Sequence, residues 1–343
     1  MNRKLSRICL FIVSSIVLLL AAACSNTATE SSGAEEGKSK KMIKVKMGLD
    51  TAAGGSLQIR AAKENGYFEK YGIDADVSNF AYGIDTINAL LVNRTETGSA
   101  ADYALLNSLG KGDMTIVSTL TRATKETSKE TQLLVKGNIN GPQDLKGKRL
   151  GVAKGTVYEY VWDKYLEKNN ISENDIKYVP YSTPDEAIVG MQKGDIDAVW
   201  IGGALTDKFK SIAGAKEIAD VSDSGVQVDS YLIMQRSFVE KNPDTVRDIL
   251  KAINEGVEYV NTHHKETADI AFKQLKLPKE DVVKDINRTN YVLCFTKEDG
   301  KHLEDMKSWL EQKGILKEKF ELKDKISVEP LKKALPESVT YEK

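Results

Sequence analysis

Four short segments of the chain place glycine, hydroxyl or acidic side chains where a predicted strand passes into a predicted helix. They are Gly54-Gly55-Ser56, Tyr82-Gly83, Asp102-Tyr103 and Gly155-Thr156. The first turn of a helix presents unpaired N–H groups and the positive end of the helix dipole, which suits an oxyanion. Glycine permits close backbone approach, and the hydroxyls of Ser56 and Thr156 add donors. These loops predict an anion-binding cleft, with turn formation and helix capping as the alternative.

Two carboxylates and four aromatic side chains are predicted at or beside the same loops. They are Asp50 and Asp102, and Tyr82, Tyr103, Tyr158 and Trp200. Stacked rings suit a planar heterocycle. The carboxylates suit its amino group, or the ammonium group of a zwitterion, and argue against an inorganic anion. Each of these residues also has a structural alternative. Asp102 is equally consistent with a helix cap, and Asp50 is equally consistent with fixing the conformation of its own loop. Each aromatic ring is also consistent with a position in the core.

Trp200 gives the sharpest expectation in this group. If its ring contacts the ligand, replacement by alanine lowers the affinity without unfolding the protein.

The sequence lacks the common catalytic motifs. It contains neither a Gly-x-Ser-x-Gly nucleophile elbow nor a Gly-x-x-x-x-Gly-Lys-Ser/Thr phosphate loop. His263 and His264 are adjacent in a predicted helix, so their side chains diverge by ~100° and do not form an i,i+4 metal pair. His302 lies in a polar run that predicts an exposed helix face. We therefore expect no enzyme activity, no metal and no cofactor.

Hydrophobic patterns predict how these loops are positioned. Residues 43–120 alternate between strand and helix, and residues 141–221 repeat that alternation. From residue 242 onward the pattern is helical. Alternating strands and helices are typical of a mostly parallel sheet covered by helices. The sequence therefore predicts an α/β fold of two α/β units followed by a helical C-terminal third.

Composition supports two domains and excludes several classes of function. The chain has 343 residues, with 49 Lys and Arg against 50 Asp and Glu. That length suits about two domains, and balanced charge argues against nucleic-acid binding. With three cysteines the chain is not a disulfide scaffold.

The N-terminus predicts export. Residues 1–24 combine a basic start with an apolar run that is short for a membrane span, which is typical of a signal peptide. The run ends in Leu20-Ala21-Ala22-Ala23-Cys24, which resembles a bacterial lipobox whose cysteine carries lipid. Residues 25–41 lack large apolar side chains and predict a flexible tether. Cys294 is then the remaining free thiol.

Five segments, in this order, resemble the solute-binding proteins of ABC importers, in the branch that serves nitrate, sulfonates, taurine and thiamine-precursor pyrimidines. They are residues 61–73 (AAKENGYFEKYGI), 98–105 (GSAADYAL), 144–156 (DLKGKRLGVAKGT), 194–200 (GDIDAVW) and 238–244 (FVEKNPD). The resemblance covers about residues 43–310. Many relatives place a proline shortly after the position of Trp200, whereas this chain continues Ile201-Gly202-Gly203.

The resemblance implies the type II fold of periplasmic binding proteins. In this fold two α/β lobes are joined by two crossover strands, and ligand in the cleft draws the lobes together. The expected first lobe is residues 42–133 plus 232–343, and the expected second lobe is residues 134–231. The crossovers are expected near residues 131–136 and 229–234.

The resemblance also implies the partners. They are a small-molecule ligand, the permease and ATPase of the importer, and the membrane through lipid on Cys24, with the protein itself extracytoplasmic and monomeric. A sulfonate of the taurine type and a planar pyrimidine or thiamine precursor remain alternative ligands. A pyrimidine-synthesising enzyme of this fold is less favoured, because its Cys-rich motif is absent.

Overall fold

Two β-sheets lie at the centres of two lobes in the computed structural model, which describes residues 42–51, 56–202 and 205–342. In chain order the strands are β1 (Ile43–Asp50), β2 (Ile73–Phe80), β3 (Thr97–Ala101), β4 (Met114–Arg122), β5 (Gln132–Lys136), β6 (Arg149–Val152), β7 (Lys177–Pro180), β8 (Ala198–Ile201), β9 (Ala215–Asp220), β10 (Ser230–Gln235) and β11 (Asn290–Cys294). The first sheet has the order β11-β4-β10-β3-β1-β2 and the second β7-β6-β8-β5-β9. β1 runs parallel to β2 and β3, and β6 runs parallel to β7 and β8, so the predicted βαβ alternation is confirmed.

Helices connect the strands and extend the chain beyond the sheets. They are α1 (Leu57–Glu64), α2 (Tyr67–Lys70), α3 (Gly83–Leu91), α4 (Asp102–Leu109), α5 (Lys125–Glu130), α6 (Val157–Lys168), α7 (Pro184–Lys193), α8 (Thr206–Lys210), α9 (Val221–Ser224), α10 (Arg236–Lys241), α11 (Pro243–Thr262), α12 (His264–Leu275), α13 (Lys279–Arg288), α14 (Lys297–Gln312) and α15 (Glu329–Ala334). Short 3-10 turns lie at Pro142–Leu145, Glu173–Asp175, Leu322–Lys325 and Pro336–Ser338. None of the helices in the described residues combines the length and apolar character that a membrane crossing requires.

Each lobe has its own hydrophobic core. The first core surrounds the first sheet and includes Val45, Leu105 and Ile233. The second core surrounds the second sheet and includes Leu134 and Trp162. Burial of these apolar side chains on both sides of each sheet is the main force that holds each lobe together.

The connections between the lobes differ from the expected crossover strands. β5 and β10 each pair within one sheet only, and the chain changes lobe at residues 123–131 and 221–229. Each of these crossover segments contains a short helix, α5 or α9. They lie side by side, since the backbone N–H of Val221 donates to the carbonyl oxygen of Thr131 at 2.9 Å. Leu133 therefore packs in the second core and Tyr231 in the first, each on the other side of the expected boundary.

The C-terminal third returns to the first lobe and is not entirely helical. β11 pairs antiparallel with β4 at the edge of the first sheet, where the sequence analysis expected helix. The segment Tyr291-Val292-Leu293-Cys294-Phe295 is short, aromatic and β-branched, which favours a strand once a sheet edge is available. α11 also packs closely on α1. A Cβ atom on Gly256 would lie 2.0 Å from the carbonyl oxygen of Gln58, so glycine is required there.

Candidate functional site

A cavity of about 210 Å³ lies between the lobes, with walls from both lobes and from both crossover segments. Much of its surface is apolar, from side chains that include Ile84, Ala100, Val157, Val161 and Val228. Small ligands commonly bind in mostly apolar pockets that contain a few well-placed polar groups. The polar groups of the wall therefore decide which ligand it suits.

Five of the residues singled out from the sequence line this cavity: Asp50, Tyr82, Gly83, Thr156 and Tyr158. They come from the end of β1, the start of α3 and the start of α6. The structure thus brings together side chains more than 100 residues apart in the sequence, at the ends of strands, as the predicted loops require. Their contact with ligand stays a prediction.

Asp50 is a nearly buried carboxylate in the wall, 8% exposed. Its Oδ2 accepts hydrogen bonds from Oγ of Ser56 at 3.1 Å and from Oγ of Ser99 at 3.3 Å. Its carbonyl oxygen accepts from Nη2 of buried Arg60 at 3.0 Å. Ser56 occupies the predicted N-cap position of α1, but its hydroxyl donates to Asp50 rather than capping the helix. Ser56 therefore acts on the cavity through Asp50.

The N-terminal turn of α3 reaches the cavity because Gly83 has no side chain. A Cβ atom there would lie 2.7 Å from Cα of Ala100 in β3, which no other residue tolerates without a shift of the backbone. The preceding ring of Tyr82 packs against Tyr181 of the second lobe, with centroids 6.4 Å apart. The first turn of α3, capped by Asp85 whose Oδ2 accepts from the backbone N–H of Tyr82 at 3.1 Å, is thereby held at the cavity wall. The first N–H groups of a helix have no partner within the helix.

The start of α6 forms the facing wall. Thr156 is the N-cap: its Oγ1 accepts from the backbone N–H of Tyr158 at 3.2 Å and donates to the carbonyl oxygen of Ala153 at 2.7 Å. The capping alternative for Thr156 is therefore correct, although the residue also lines the cavity. Burial, together with the nearby charge of Asp50, raises the pKa of Tyr158 to about 12. Tyr158 is thus a neutral phenol close to Asp50 of the other lobe.

Gly155 lies beside the cavity at a contact between the lobes. Its backbone is left-handed, with φ of +74°, and a Cβ atom there would lie 3.2 Å from Cγ1 of Ile84. Both the conformation and the close approach favour glycine.

Arg122 is the wall residue that sequence reasoning missed. It ends β4, and Nε and Nη2 donate to the two carboxylate oxygens of Asp299 at 2.9 and 2.5 Å. Nη2 also donates to Oγ1 of Thr296 at 2.9 Å. Asp299 is 2% exposed, whereas 30% of the Arg122 side chain is open. Within the described residues Nη1 has no hydrogen-bond acceptor, so this fixed guanidinium has a donor to offer a ligand.

Tyr103 lies where the closed lobes meet rather than in the cavity wall. Its ring stacks on Tyr160 of α6, with centroids 5.9 Å apart, and Tyr160 packs edge-on against Trp309 of α14 at 4.6 Å. Lys164 Nζ lies 4.7 Å from the centre of the Trp309 ring. These contacts join the lobes beside the cleft.

Asp102 also lies outside the wall, at the N-terminus of α4. It is fully buried, and its Oδ1 accepts from the backbone N–H of Tyr103 at 2.8 Å. Oδ2 lies 2.8 Å from Nε2 of His302 and accepts from the backbone N–H of Asp229 at 3.1 Å. Asp102 is the first residue of α4 rather than its N-cap, which is Ala101, so the capping alternative is wrong and its side chain instead joins α4 to Asp229 and His302. The predicted exposed position of His302 is wrong, because α14 turns this residue toward Asp102.

Asp229 has the most strongly altered carboxyl group near the cleft. Burial, reinforced by the negative charge of Asp102, raises its pKa to about 6, while the N–H of Ala123 donating to its Oδ1 opposes the change. The native carboxyl group holds its proton at pH values where the unfolded chain has lost it. The contribution of Asp229 to stability is therefore present below pH ~4 and is lost as pH rises to about 6.

We expect Asp229→Asn to gain stability relative to the natural protein as pH rises from 4 to 7. Asparagine keeps an oxygen for the N–H of Ala123 but does not ionise. The difference in unfolding free energy between the variant and the natural protein changes by ~2 kcal/mol over this pH range, since each unit of pKa shift corresponds to ~1.4 kcal/mol. Urea unfolding of both proteins at a series of pH values measures it. If the difference in unfolding free energy between the two proteins stays constant with pH, the pKa of Asp229 is not raised by folding.

Trp200 belongs to the core of the second lobe, so its predicted place at the ligand is wrong. It is 0% exposed and packs edge-on against Trp162 and Tyr165, at 5.6 and 5.3 Å between centroids. It lies in β8 directly opposite Leu133 of β5. An apolar ring in a buried strand packs in the core wherever the strand is covered on both faces.

Three predicted site residues lie outside the described residues. They are Gly54 and Gly55, between β1 and α1, and Cys24 at the expected lipid attachment.

The match to a protein-family model covers residues 56–267, more than half of the chain, and its description is NMT1/THI5 like. The chain belongs to the NMT1/THI5-like family. This confirms the family expected from the sequence segments.

Relatives of this NMT1/THI5-like protein include other binding proteins. A Brucella abortus protein described as a binding protein is 25% identical over 70% of this chain and 74% of its own length. The taurine-binding periplasmic protein of Escherichia coli is 23% identical over 56% of this chain and 59% of its own length.

Solved structures confirm the type II periplasmic-binding-protein fold. The alkanesulfonate-binding protein SsuA of Xanthomonas axonopodis, bound to MOPS, aligns with a TM-score of 0.72 at 18% identity. It covers 83% of this chain and 98% of its own. The desulfurization enzyme DSZB aligns with a TM-score of 0.66 at 16% identity, covering 86% and 99%. Binding proteins and an enzyme thus share the fold of this family member.

The matched region of this NMT1/THI5-like chain ends before α14. Asp299 and His302, which hold Arg122 and Asp102, lie in that helix. The contact between Arg122 and Asp299 therefore includes a residue outside the matched region.

Proposed function

We propose that the protein is the extracytoplasmic solute-binding component of an ABC importer, which captures a small organic ligand between its lobes and delivers it to the permease. Membership of the family, the two-lobed fold and a cavity lined by both lobes support this role. A ligand that contacts both walls favours the closed state, which is the signal a permease requires. The proposed role is binding without turnover.

The ligand we propose is a sulfonate that also carries an amine, as taurine does. The observation that carries this proposal is the presence of one fixed guanidinium, Arg122, and carboxylates in the same cavity wall. Arg122 Nη1 and the first turn of α3 offer N–H donors to the sulfonate oxygens. Thr121, Thr127 and Ser128, which carry hydroxyl groups, line the same cavity.

Carboxylates in the wall argue against a simple anion. Asp50 and Asp285 line the cavity along with Glu130, whose charge is paired with Arg288. A ligand that brings only negative charge adds to the charge of these carboxylates in a partly buried site, and Arg122, which is already paired with Asp299, offsets part of that cost. An ammonium group on the ligand removes that cost, which is why a zwitterion fits this wall better than nitrate or sulfate.

A planar aminopyrimidine is the second candidate. The rings of Tyr82 and Tyr158 lie in the wall, and Asp50 is close to Tyr158. A carboxylate that accepts from an exocyclic amino group beside aromatic side chains suits such a ligand. This ligand makes no use of Arg122, and that difference separates the two candidates.

We further propose that Cys24 becomes the N-terminal residue and carries lipid after removal of residues 1–23, and that residues 25–41 tether the lobes to the membrane surface. The basic and apolar start of the sequence supports this proposal.

A panel of ligands tests the proposed function. We expect taurine or another aminosulfonate to raise the melting temperature of the purified protein, because binding to the folded state alone adds RT ln(1 + [L]/Kd), ~2.7 kcal/mol at 100 times Kd. Differential scanning fluorimetry with sulfonates, aminopyrimidines and nitrate measures it, with isethionate as the matched control that replaces the amine of taurine by a hydroxyl. Stabilisation by an aminopyrimidine alone selects the second candidate. No stabilisation by any of them, together with turnover of a sulfonate or sulfinate, contradicts the transport role.

A further inference from the structure

A group of buried and partly buried charged side chains lies behind the cavity wall, at the junction where both crossover segments leave the first lobe. Asp229 lies just before β10, and its Oδ1 accepts from the backbone N–H of Ala123 at 2.7 Å. The N–H of Asp102 donates to the carbonyl oxygen of Asp229 at 3.0 Å, and the N–H of Asp229 donates to Oδ2 of Asp102 at 3.1 Å. These bonds tie the two crossover segments to each other and to the start of α4.

α14 holds this junction and the cavity cation together. His302 Nε2 lies 2.8 Å from Oδ2 of Asp102, and Asp299, one turn earlier on the helix, binds Arg122 through two hydrogen bonds. Arg122 and Ala123, which are adjacent in the chain, both line the cavity. A charge placed in the cavity at Arg122 is therefore close to the groups of the junction.

The charged and titratable groups that face Asp229 come from five elements. They are Asp102 of α4, Arg122 of β4, Tyr231 of β10, Cys294 of β11, and Asp299 and His302 of α14. Three carboxylates thus face one guanidinium and one imidazole. Burial lowers the pKa of His302, but its hydrogen bond to Asp102 and the nearby carboxylates outweigh that effect and raise it. Burial and Asp102 raise the pKa of Asp229 to about 6.

We propose that Asp229 and His302 are positioning residues of the cleft, and that they couple the capture of an anion at Arg122 to the uptake of a proton at this junction. The coupling rests on the proposed function, because it requires a ligand with an anionic group beside Arg122. Such a group cancels part of the positive potential that Arg122 provides to Asp229. It therefore favours the neutral carboxyl of Asp229 and the charged imidazole of His302. By reciprocity, protonation of the junction favours capture by the same factor.

The test is isothermal titration calorimetry of the protein with taurine, whose sulfonate stays an anion and whose amine stays mostly protonated over the whole range. Titrations at pH 5.5 and pH 8.0, each in two buffers of different ionisation enthalpy, give both Kd and the number of protons taken up. We expect taurine to bind about fivefold more tightly at pH 5.5 than at pH 8.0, with protons taken up on binding at pH values between these two.

Two variants and one control assign the effect. Asp229→Asn keeps an oxygen for the N–H of Ala123 but does not titrate, so we expect the ratio of the Kd at pH 8.0 to the Kd at pH 5.5 to fall below about twofold. His302→Gln also reduces the ratio, since it keeps a donor for Asp102 without a charge. Asp185→Asn removes an exposed carboxylate of α7 that pairs with Lys208 of α8, and it keeps the natural pH profile.

Each outcome decides between the two proposals. Binding of taurine without proton uptake, or an unchanged pH profile in Asp229→Asn, overturns the coupling and leaves the sulfonate-binding role intact. If taurine does not bind the natural protein at either pH, the proposed function is wrong and the coupling fails with it.

Discussion

Replacement of Arg122 by glutamine is expected to weaken sulfonate binding at least 100-fold. Arg122 is the one cation in the described cavity wall, and two of its nitrogens are fixed by Asp299. Glutamine removes the charge that attracts the sulfonate and leaves the carboxylate of Asp299 unpaired behind the wall. Loss of one partner of a buried charge pair across a binding interface, here the guanidinium that meets the sulfonate, typically costs about 2–5 kcal/mol of binding free energy. A loss of ~2.7 kcal/mol corresponds to a factor of 100 in Kd. Calorimetry with taurine measures the loss.

The double variant Arg122→Gln with Asp299→Asn is the control for this experiment. It removes the unpaired carboxylate, so it recovers much of the stability lost in the single variant but not the affinity. Arg122→Lys keeps the charge but not the fork of donors that meets Asp299, and it is expected to bind with intermediate affinity. A taurine Kd within threefold of the natural value in Arg122→Gln removes this residue from the site. Unchanged binding of an aminopyrimidine, with no taurine binding by the natural protein, favours the second candidate ligand.

Replacement of Trp200 by alanine is expected to destabilise the second lobe by ~3–5 kcal/mol and to leave ligand affinity nearly unchanged. The ring is completely buried and packs against Trp162 and Tyr165, so its removal leaves a large cavity in a close-packed core. Urea unfolding followed by circular dichroism measures the stability, and calorimetry at low temperature measures the affinity of the fraction that remains folded.

Trp200→Phe is the matched variant, because it keeps an aromatic ring while losing part of the volume. It is expected to lose less stability than Trp200→Ala. The opposite pattern, in which Trp200→Ala keeps its stability and loses its affinity, would show that the indole contacts the ligand. That pattern is what the sequence alone predicted.

The site combines local features, which sequence patterns reveal, with distant pairings, which they do not. The starts of α3 and α6 are visible as Tyr82-Gly83 and Gly155-Thr156, because helix starts depend on neighbouring residues. Thr183 likewise caps α7, with its side chain accepting from the N–H of Glu186. By contrast, the pairing of Asp102 with His302 joins residues 200 positions apart, and neither residue carries a local sign of the other.

The sequence by itself determined the order of strands and helices through both α/β units, the family, and the loops that form much of the cleft, because period and capping are local properties. The tertiary structure decided three further points: that Arg122 lines the cavity, that Trp200 is core, and that β11 extends the first sheet. The local sequence around an arginine at the end of a strand, or around a tryptophan within a strand, does not show whether the side chain lies in a cavity wall or in a core. That depends on residues of α14, α6 and β5 that only folding brings beside Arg122 and Trp200.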